Sequence, residues 1–427
     1  MDPTELKAKM MKLWKSIFHD SDDYVSLVFD TYFNPELVEY HEEGGKLISA
    51  LMAVPYWFGN GNEKLKGLYL CGLSTLEEYR HLGYMNRLME RIYKKAAKDG
   101  YSFTFLIPAS DALRIYYSGK GFVNGMYVIE DRYTSVHDFD HDYRNILNKE
   151  DERIKKIKEK YFGNLSINIL DLEDKVVVEK LKEYIIKSEN NSSTYFTLLH
   201  NEKDIETIIK ENHISNDEIF YASTDDGKIT GCAFVAMDGK EGVKVKKIFH
   251  TDKCSYFKLL DAIKKAHPDD GMGVVCYPEE TERRALWSQV YGAANPDGGM
   301  LGGAYGIAER VYEVNRHARP YGMVRIIDFR EILKFLANDR RDCKFSILVK
   351  GGSEHGKDLF CSVKNGEATF KEINEGETQN ISSDRNVTEL SAHDFSEILL
   401  RKKDSSNIIM EALNIPRLVL NMSLLLD

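Results

Sequence analysis

A basic, glycine-containing turn stands between an apolar run and a helical pattern, and a turn of this kind can bind an anion. The apolar run covers residues 68–75, and the segment 80–85 that follows it contains Arg80 and Gly83. Backbone N–H groups at a helix start carry partial positive charge, a glycine lets the chain approach a phosphate closely, and an arginine adds a charge-assisted contact. The spacing predicts a pyrophosphate site, although R-x-x-G alone also fits an ordinary helix entry with an exposed arginine.

A pair of tyrosines, Tyr116 and Tyr117, lies four to five residues before Gly121-Phe122. A phenol has a pKa near 10 and can donate a proton to a reacting group when it is held within hydrogen-bond reach. One tyrosine of the pair is therefore a candidate general acid. In the alternative interpretation, one ring packs in the core and the other is exposed at the surface, and neither has a catalytic role.

The end of the chain is unusually apolar, since seven of its last ten residues are apolar. Most termini are polar and frayed, so this composition predicts a tail that is docked against the protein. A docked tail would deliver the carboxylate of Asp427 to a defined place. The alternatives are a terminal segment packed for stability alone and a chain cut short of its true end.

The composition indicates which binding partners and which cellular location to expect. The 427 residues carry a formal net charge of -10, which disfavours a nucleic-acid partner and favours a cationic substrate. No apolar run approaches the roughly 20 residues that cross a bilayer, and the N-terminus has no signal-peptide pattern. Six widely spaced cysteines without a C-x-x-C pair indicate reduced thiols, and we expect a cytoplasmic protein. His137 and His141 could pair on a metal, but they lie in a charged segment, so no metal is expected.

Apolar periodicity predicts an α/β order of strand, helix, strand, helix, strand over 67–133. A charged connector with a solvated helix is predicted over 137–160. We expect three domains, at 1–150, 151–315 and 316–427. The second repeats the order of the first without the arginine turn, and the third is a small α+β unit. The elements predicted for the second domain are strands at 218–223, 229–237, 243–250 and 272–277 and a helix at 254–266.

The segment 68–85 resembles motif A of the GNAT superfamily of N-acetyltransferases, whose (Q/R)-x-x-G-x-(G/A) turn binds the pyrophosphate of CoA. Met85 replaces the small residue at the last position, and a larger aliphatic residue there is similar to the Eis (enhanced intracellular survival) subfamily. The resemblance implies main-chain contacts to pantetheine from the preceding strand. The residues that it implies for acetyl-CoA binding are Leu73, Thr75, Arg80, His81, Gly83, Tyr84 and Met85.

The tyrosine pair and the tail also resemble the Eis type. Aligning Gly121-Phe122 with the Gly-aromatic pair of those enzymes implies that Tyr117 is the general acid. Their C-terminal carboxylate acts as the base, which implies the main-chain terminus of Asp427, with its side chain as an alternative. The implied fold is two GNAT-type mixed-sheet domains followed by a small α+β sterol-carrier-like domain that opens near Tyr321. The implied assembly is a homo-oligomer, and the Eis type implies a hexamer.

The resemblance therefore implies transfer of acetyl from acetyl-CoA to a primary amine. The acceptor would be a small cationic molecule, aminoglycoside-like or polyamine-like, or a lysine side chain. The alternative of a different class is a non-catalytic acyl-CoA or lipid-binding protein. Thiol release that depends on added amine separates the two.

Overall fold

A computed structural model describes residues 1–61, 63–148, 150–191, 195–238, 242–278, 313–353, 356–374, 387–402, 409 and 413–424 of the chain. The helices are α1 (Pro3–Phe18), α2 (Asp22–Tyr32), α3 (Tyr84–Lys98), α4 (Asp111–Ser118), α5 (Phe139–Leu147), α6 (Glu152–Gly163), α7 (Lys175–Asn190), α8 (Glu202–Ile214), α9 (Lys253–Ala266), α10 (Phe329–Asp339) and α11 (Ala392–Leu399). The strands are β1 (Val38–Glu43), β2 (Lys46–Gly59), β3 (Lys64–Thr75), β4 (Phe103–Leu106), β5 (Val123–Tyr133), β6 (Ser166–Ile169), β7 (Phe196–Leu199), β8 (Glu218–Ser223), β9 (Ile229–Asp238), β10 (Gly242–His250), β11 (Met272–Cys276), β12 (Glu313–Ile326), β13 (Lys344–Lys350), β14 (Asp358–Lys364), β15 (Glu367–Ile373), β16 (Thr388–Ser391) and β17 (Leu420–Asn421).

Two compact units divide the chain, and both are discontinuous in sequence. Unit 1 contains 1–127, 190–200 and 320–422, and unit 2 is built mainly from 128–189 and 201–319. The division into domains at 1–150, 151–315 and 316–427 stays a prediction, because compactness groups the start of the chain with 320–422. The mixed α/β class predicted from the sequence is confirmed.

The main sheet of unit 1 has the strand order β17-β7-β2-β3-β4-β12, and β1 pairs with β2. The β3–β4 pair is parallel, and its neighbours β2–β3 and β4–β12 are antiparallel. Parallel neighbours need a crossover connection, and α3 supplies it. The apolar residues of α3 recur at spacings of three and four, so one helix face is buried against the sheet. The strand–helix–strand order predicted around the basic turn is therefore confirmed.

A bulge bends β3 close to its end. The pairing with β2 shifts between Ala50 and Met52, and Gly72 on β3 adopts a left-handed φ of 59°. A Cβ at Gly72 would lie 2.3 Å from the Trp14 ring of α1, so a side chain there is excluded. One extra residue on β3 locally breaks the ladder and redirects the strand end.

A second, four-stranded sheet of unit 1 has the order β15-β14-β13-β16. Helices α10 and α11 pack together through Phe329 and Phe395, whose rings are stacked with centroids 5.2 Å apart. The strands confirm the alternating runs of the third region. The resemblance of this region to a sterol-carrier-like domain stays a prediction.

Unit 2 repeats the strand–helix–strand arrangement of unit 1. Its strands follow the order β11-β10-β9-β8-β6, with residues 129–133 of β5 beside β11. Strands β10 and β11 are parallel and are joined by α9. The strands and the helix predicted for 218–277 are confirmed, with bounds that differ by a residue or two.

The charged connector predicted for 137–160 was wrong in its first half. Helix α5 buries Phe139, Tyr143 and Ile146 in the core of unit 2, and the Tyr143 ring stacks on Phe162 at 4.3 Å between centroids. Charged residues on the outer face of α5 made this stripe of apolar residues difficult to recognise in the sequence. His137 is buried there, with Nε2 2.7 Å from a carboxylate oxygen of Asp142.

Within the described ranges, no group of three or more His, Cys, Asp and Glu side chains is placed to hold a metal ion. None of the helices in the same ranges combines the length and apolar character that a membrane crossing requires.

Candidate active site

The basic turn lies between the end of β3 and the start of α3. His81 and Gly83 both adopt left-handed backbone conformations, with φ of 66° and 78°. Gly83 occupies the N-cap position of α3, and within the described part of the chain no side chain caps the first N–H groups of this helix. A helix start without a side-chain cap keeps its N–H donors available to an anionic ligand.

Helix α9, which follows its strand in unit 2 as α3 does in unit 1, begins differently. The Asp252 carboxylate caps it by accepting a hydrogen bond from the N–H of Ser255 at 2.9 Å. A second carboxylate contact comes from the Ser255 hydroxyl at 3.2 Å. This carboxylate already accepts a hydrogen bond from a backbone N–H group at the start of α9, and its negative charge would repel a phosphate. The difference is the physical reason why the anion site is expected at α3 and not at α9.

Arg80 and His81 are exposed, whereas Tyr84 and Met85 are half-buried. The Nε of Arg80 donates to the carbonyl of Thr75 at 3.3 Å, which folds the arginine back towards the end of β3. Met85 packs against an apolar cluster that includes Tyr117. The Met85 side chain turns towards the core, so a long aliphatic residue fits at the position where the general pattern has a small one.

The end of β3 is fixed by the neighbouring strand. The Ser49 hydroxyl of β2 is 2.8 Å from the Thr75 hydroxyl and donates to the carbonyl of Ser74 at 3.1 Å. Leu73, which follows the glycine bulge, packs against the same apolar cluster as Met85. Leu73 and Thr75 thus lie at the redirected strand end, beside the turn. Nothing in the local sequence identified Ser49, because it reaches this place only through strand pairing.

Tyr84 binds residues that sequence reasoning missed. Its hydroxyl donates to the Glu43 carboxylate of β1 at 2.6 Å, its ring centroid lies 4.5 Å from that of His41, and the Arg87 guanidinium lies 4.7 Å from the ring centroid. The hydrogen bond from Tyr84, with a smaller contribution from His41, lowers the pKa of Glu43. The same bond raises the pKa of Tyr84. These contacts hold the first residue of α3 against β1.

The two tyrosines of α4 lie in different environments. Tyr117 is 7% exposed and Tyr116 is 37% exposed, and their rings meet edge to face at 5.2 Å between centroids. The Tyr116 hydroxyl donates to the Asn86 side chain at 2.9 Å. Burial, with a smaller contribution from Tyr116, raises the pKa of Tyr117 to about 12. Tyr117 is therefore protonated throughout the physiological pH range, as a proton donor must be.

The turn after α4 fixes the backbone of Tyr117. Its carbonyl accepts hydrogen bonds from the N–H of Lys120 at 2.9 Å and from the N–H of Phe122 at 3.2 Å. Gly121 has a φ of 83°, a conformation that favours glycine. The buried Phe122 ring lies 5.9 Å from the Tyr117 ring. The Gly-aromatic pair is thus the structural partner of this tyrosine.

The tail is docked as far as it is described. The N–H of Leu418 donates to the carbonyl of Leu399 at 2.7 Å, and β17 pairs in parallel with β7 at the edge of the unit 1 sheet. Met422 is buried, with its methyl group beside Gly322. The predicted docking is therefore confirmed up to this residue. Asp427 lies outside the described residues, so its assignment stays a prediction.

Comparison with known proteins defines the class. Residues 4–123 match the family model described as an acetyltransferase (GNAT) domain. No curated protein matches the chain. The match places a GNAT acetyltransferase domain over the turn, α3, α4 and Tyr117, and it confirms the predicted N-acetyltransferase at the level of this class.

Solved structures extend the likeness of fold over the whole chain. A conserved protein of unknown function from Enterococcus faecalis V583, described as a probable N-acyltransferase, is 10% identical over 96% of this chain and 90% of that chain, with a TM-score of 0.61. A GCN5-related N-acetyltransferase from Kribbella flavida is 12% identical over 100% and 96%, also with a TM-score of 0.61. Eis1 from Mycobacterium abscessus is 10% identical over 96% and 90%, with a TM-score of 0.57. At these identities the likeness shows the fold alone.

Proposed function

We propose that this chain transfers an acetyl group from acetyl-CoA to a primary amine of a small cationic molecule, aminoglycoside-like or polyamine-like, or of a lysine side chain. The observation that carries the proposal is the pairing of two features in unit 1. Among the residues that the structure describes, no side chain caps the start of α3, and Tyr117 lies in the same apolar cluster against which Leu73 and Met85 pack. An anion site and a proton donor therefore belong to one structural unit.

For the acyl donor we propose that the turn holds the pyrophosphate. The N–H groups at Gly83, Tyr84 and Met85 would donate to its oxygens, and Arg80 and His81 would add their side chains from the exposed side of the turn. The main chain at Leu73 and Thr75 would bind the pantetheine arm. The bulge at Gly72 supports this assignment, because it interrupts the ladder where those main-chain groups would be needed.

For the chemistry we propose attack of the amine on the thioester carbonyl. The C–N bond forms, the C–S bond breaks, and the sulfur leaves with the electron pair. Tyr117 donates its phenolic proton to this sulfur. A pKa of about 12 keeps the donor protonated but makes it a weak acid towards a thiolate in water. Burial raises the pKa of a thiol as well as that of a phenol, so the two values approach each other in an enclosed site.

For the base we propose the terminal carboxylate of Asp427, which would take a proton from the ammonium group of the acceptor so that the neutral amine can attack. The support comes from the tail, which is held by backbone hydrogen bonds at Leu418 and is buried at Met422. The formal charge of -10 supports a cationic acceptor. Cytoplasmic location stays a prediction from composition, and assembly into a hexamer stays a prediction from the resemblance.

The test is a thiol-release assay with acetyl-CoA and three acceptors: spermidine, kanamycin and a lysine-containing peptide. We expect release above the rate of hydrolysis with at least one amine and a mass increase of one acetyl group on that amine. Tight acetyl-CoA binding without amine-dependent release would instead support the non-catalytic acyl-CoA-binding alternative.

A further inference from the structure

Strand β12 places an arginine against the turn that holds Tyr117. Arg325 is about 200 residues downstream of this turn in the sequence, yet its Nη1 donates to the carbonyl of Lys120 at 2.5 Å. A Cβ at Gly121 would lie 2.3 Å from the same Nη1, so the guanidinium fills the space that a side chain would need. The absence of a side chain at Gly121 therefore makes this contact possible.

A second arginine makes the reciprocal connection. Arg114 of α4 donates from Nη2 to the carbonyl of Pro320 in β12 at 3.3 Å and from Nη1 to Asn124 at 2.7 Å. Thus β12 binds the turn after α4 through Arg325, and α4 binds β12 through Arg114. Contacts with one strand therefore hold both the middle of the helix that carries Tyr117 and the turn that follows this helix.

In the part of the chain that the structure describes, the surroundings of Arg325 leave polar atoms buried without partners, which is unfavourable for the stability of the folded protein. The guanidinium lies 4.4 Å from the centroid of the Tyr93 ring. Within the described residues, the Nε of Arg325 and the hydroxyl of Tyr93 are both buried without a hydrogen-bond partner. Burial of polar groups without partners costs free energy. An unbranched apolar side chain would avoid part of that cost, so stability does not explain an arginine here.

We infer that Arg325 is a positioning residue for the transfer reaction, acting through the Lys120 carbonyl and the turn to hold Tyr117 in place. This inference rests on the proposed role of Tyr117 as the proton donor. Arg325 touches neither substrate in this scheme. The N–H of Lys120 donates to the Tyr117 carbonyl, so the peptide segment bound by Arg325 is the one that fixes the tyrosine backbone. A small displacement of a catalytic group can lower a rate by about two orders of magnitude.

The test is a double-mutant cycle of Arg325→Met and Tyr117→Phe, measured with acetyl-CoA and the most active amine of the panel. We expect Arg325→Met alone to lower kcat about tenfold or more and to change the acetyl-CoA Kd less than about twofold. In the Tyr117→Phe background, the same change should lower kcat less than about twofold, because no proton donor is left to position. Arg325→Lys, which keeps the charge on a shorter donor, should fall between wild type and Arg325→Met.

Arg319→Met is the matched control, since Arg319 lies on the same strand, is exposed and pairs with Glu130 in unit 2. It should leave kcat unchanged, and an equal loss there would attribute the effect to β12 in general. Wild-type kcat in Arg325→Met, or the same loss with and without the Tyr117 hydroxyl, overturns the positioning role. If Tyr117→Phe alone keeps full activity, the proton-donor assignment fails, and the positioning role fails with it. If Arg325→Met does not bind acetyl-CoA, Arg325→Lys replaces it in the cycle.

Discussion

Replacing Tyr117 with phenylalanine tests the proposed chemistry most directly. The ring stays in its apolar cluster, and the described residues show no hydrogen bond to its hydroxyl, so the free energy of unfolding should change by less than about 1 kcal/mol. A residue only 7% exposed has little room for a water that could replace the proton donor. We therefore expect kcat to fall by about 10²-fold or more, equivalent to about 2.7 kcal/mol of transition-state stabilisation.

The assay is steady-state thiol release at saturating amine, with acetyl-CoA affinity measured separately by calorimetry. Affinity should stay close to wild type, because the proposed pyrophosphate contacts come from the turn before α3. Tyr116→Phe is the matched control: it removes a hydroxyl from the adjacent, more exposed ring and loses one hydrogen bond to Asn86. Its kcat should change no more than about threefold. If Tyr116→Phe is the more damaging change, the acid has been assigned to the wrong tyrosine, and equal wild-type rates in both variants would exclude a tyrosine acid.

Three further outcomes are expected. Arg80→Ala should weaken acetyl-CoA binding by about 1 to 3 kcal/mol in calorimetry, because one charge-assisted contact is lost, whereas Arg144→Ala, at an exposed position of α5, should not. Equal acetyl-CoA affinities of the two variants would remove the anion site from this turn. Deleting 424–427, or adding a few Gly and Ser residues after Asp427, should abolish turnover while acetyl-CoA binding is retained. Full activity of the extended chain would refute the role of the terminal carboxylate as the base. An Asp427→Asn variant as inactive as the deletion would indicate that the side chain is the base instead. Above pH 10 the unfolded phenol of Tyr117 ionises while the folded one, with a pKa of about 12, keeps its proton, so the free energy of unfolding falls with rising pH. Tyr117→Phe should remove about 2.3 kcal/mol of that fall by pH 12 in urea titrations, and an unchanged slope would contradict the burial of this hydroxyl.

Local periodicity predicted the parts of the site that are continuous in sequence. The stripe of α3 and the strand before it follow from the spacing of neighbouring residues, whereas the Gly-aromatic pair after α4 followed from the family resemblance. Contacts made through strand pairing carry no local signal. Glu43 reaches Tyr84, and Arg325 reaches Lys120, only because β1 and β12 lie where the sheet places them. The segment 137–160 shows the opposite error, since its charge density concealed the apolar face of α5.

The discontinuity of unit 1 also determines when this protein can become active during its synthesis. A nascent chain that ends before residue 320 lacks β12, so the edge of β4 has no partner and the turn at Lys120 lacks Arg325. Most of unit 2 is already synthesised by then, whereas unit 1 needs residues up to Met422. Contacts that close so late have high sequence separation and form slowly. During synthesis unit 1 is therefore completed after most of unit 2, and fragments that stop early should expose an unpaired strand edge that promotes aggregation.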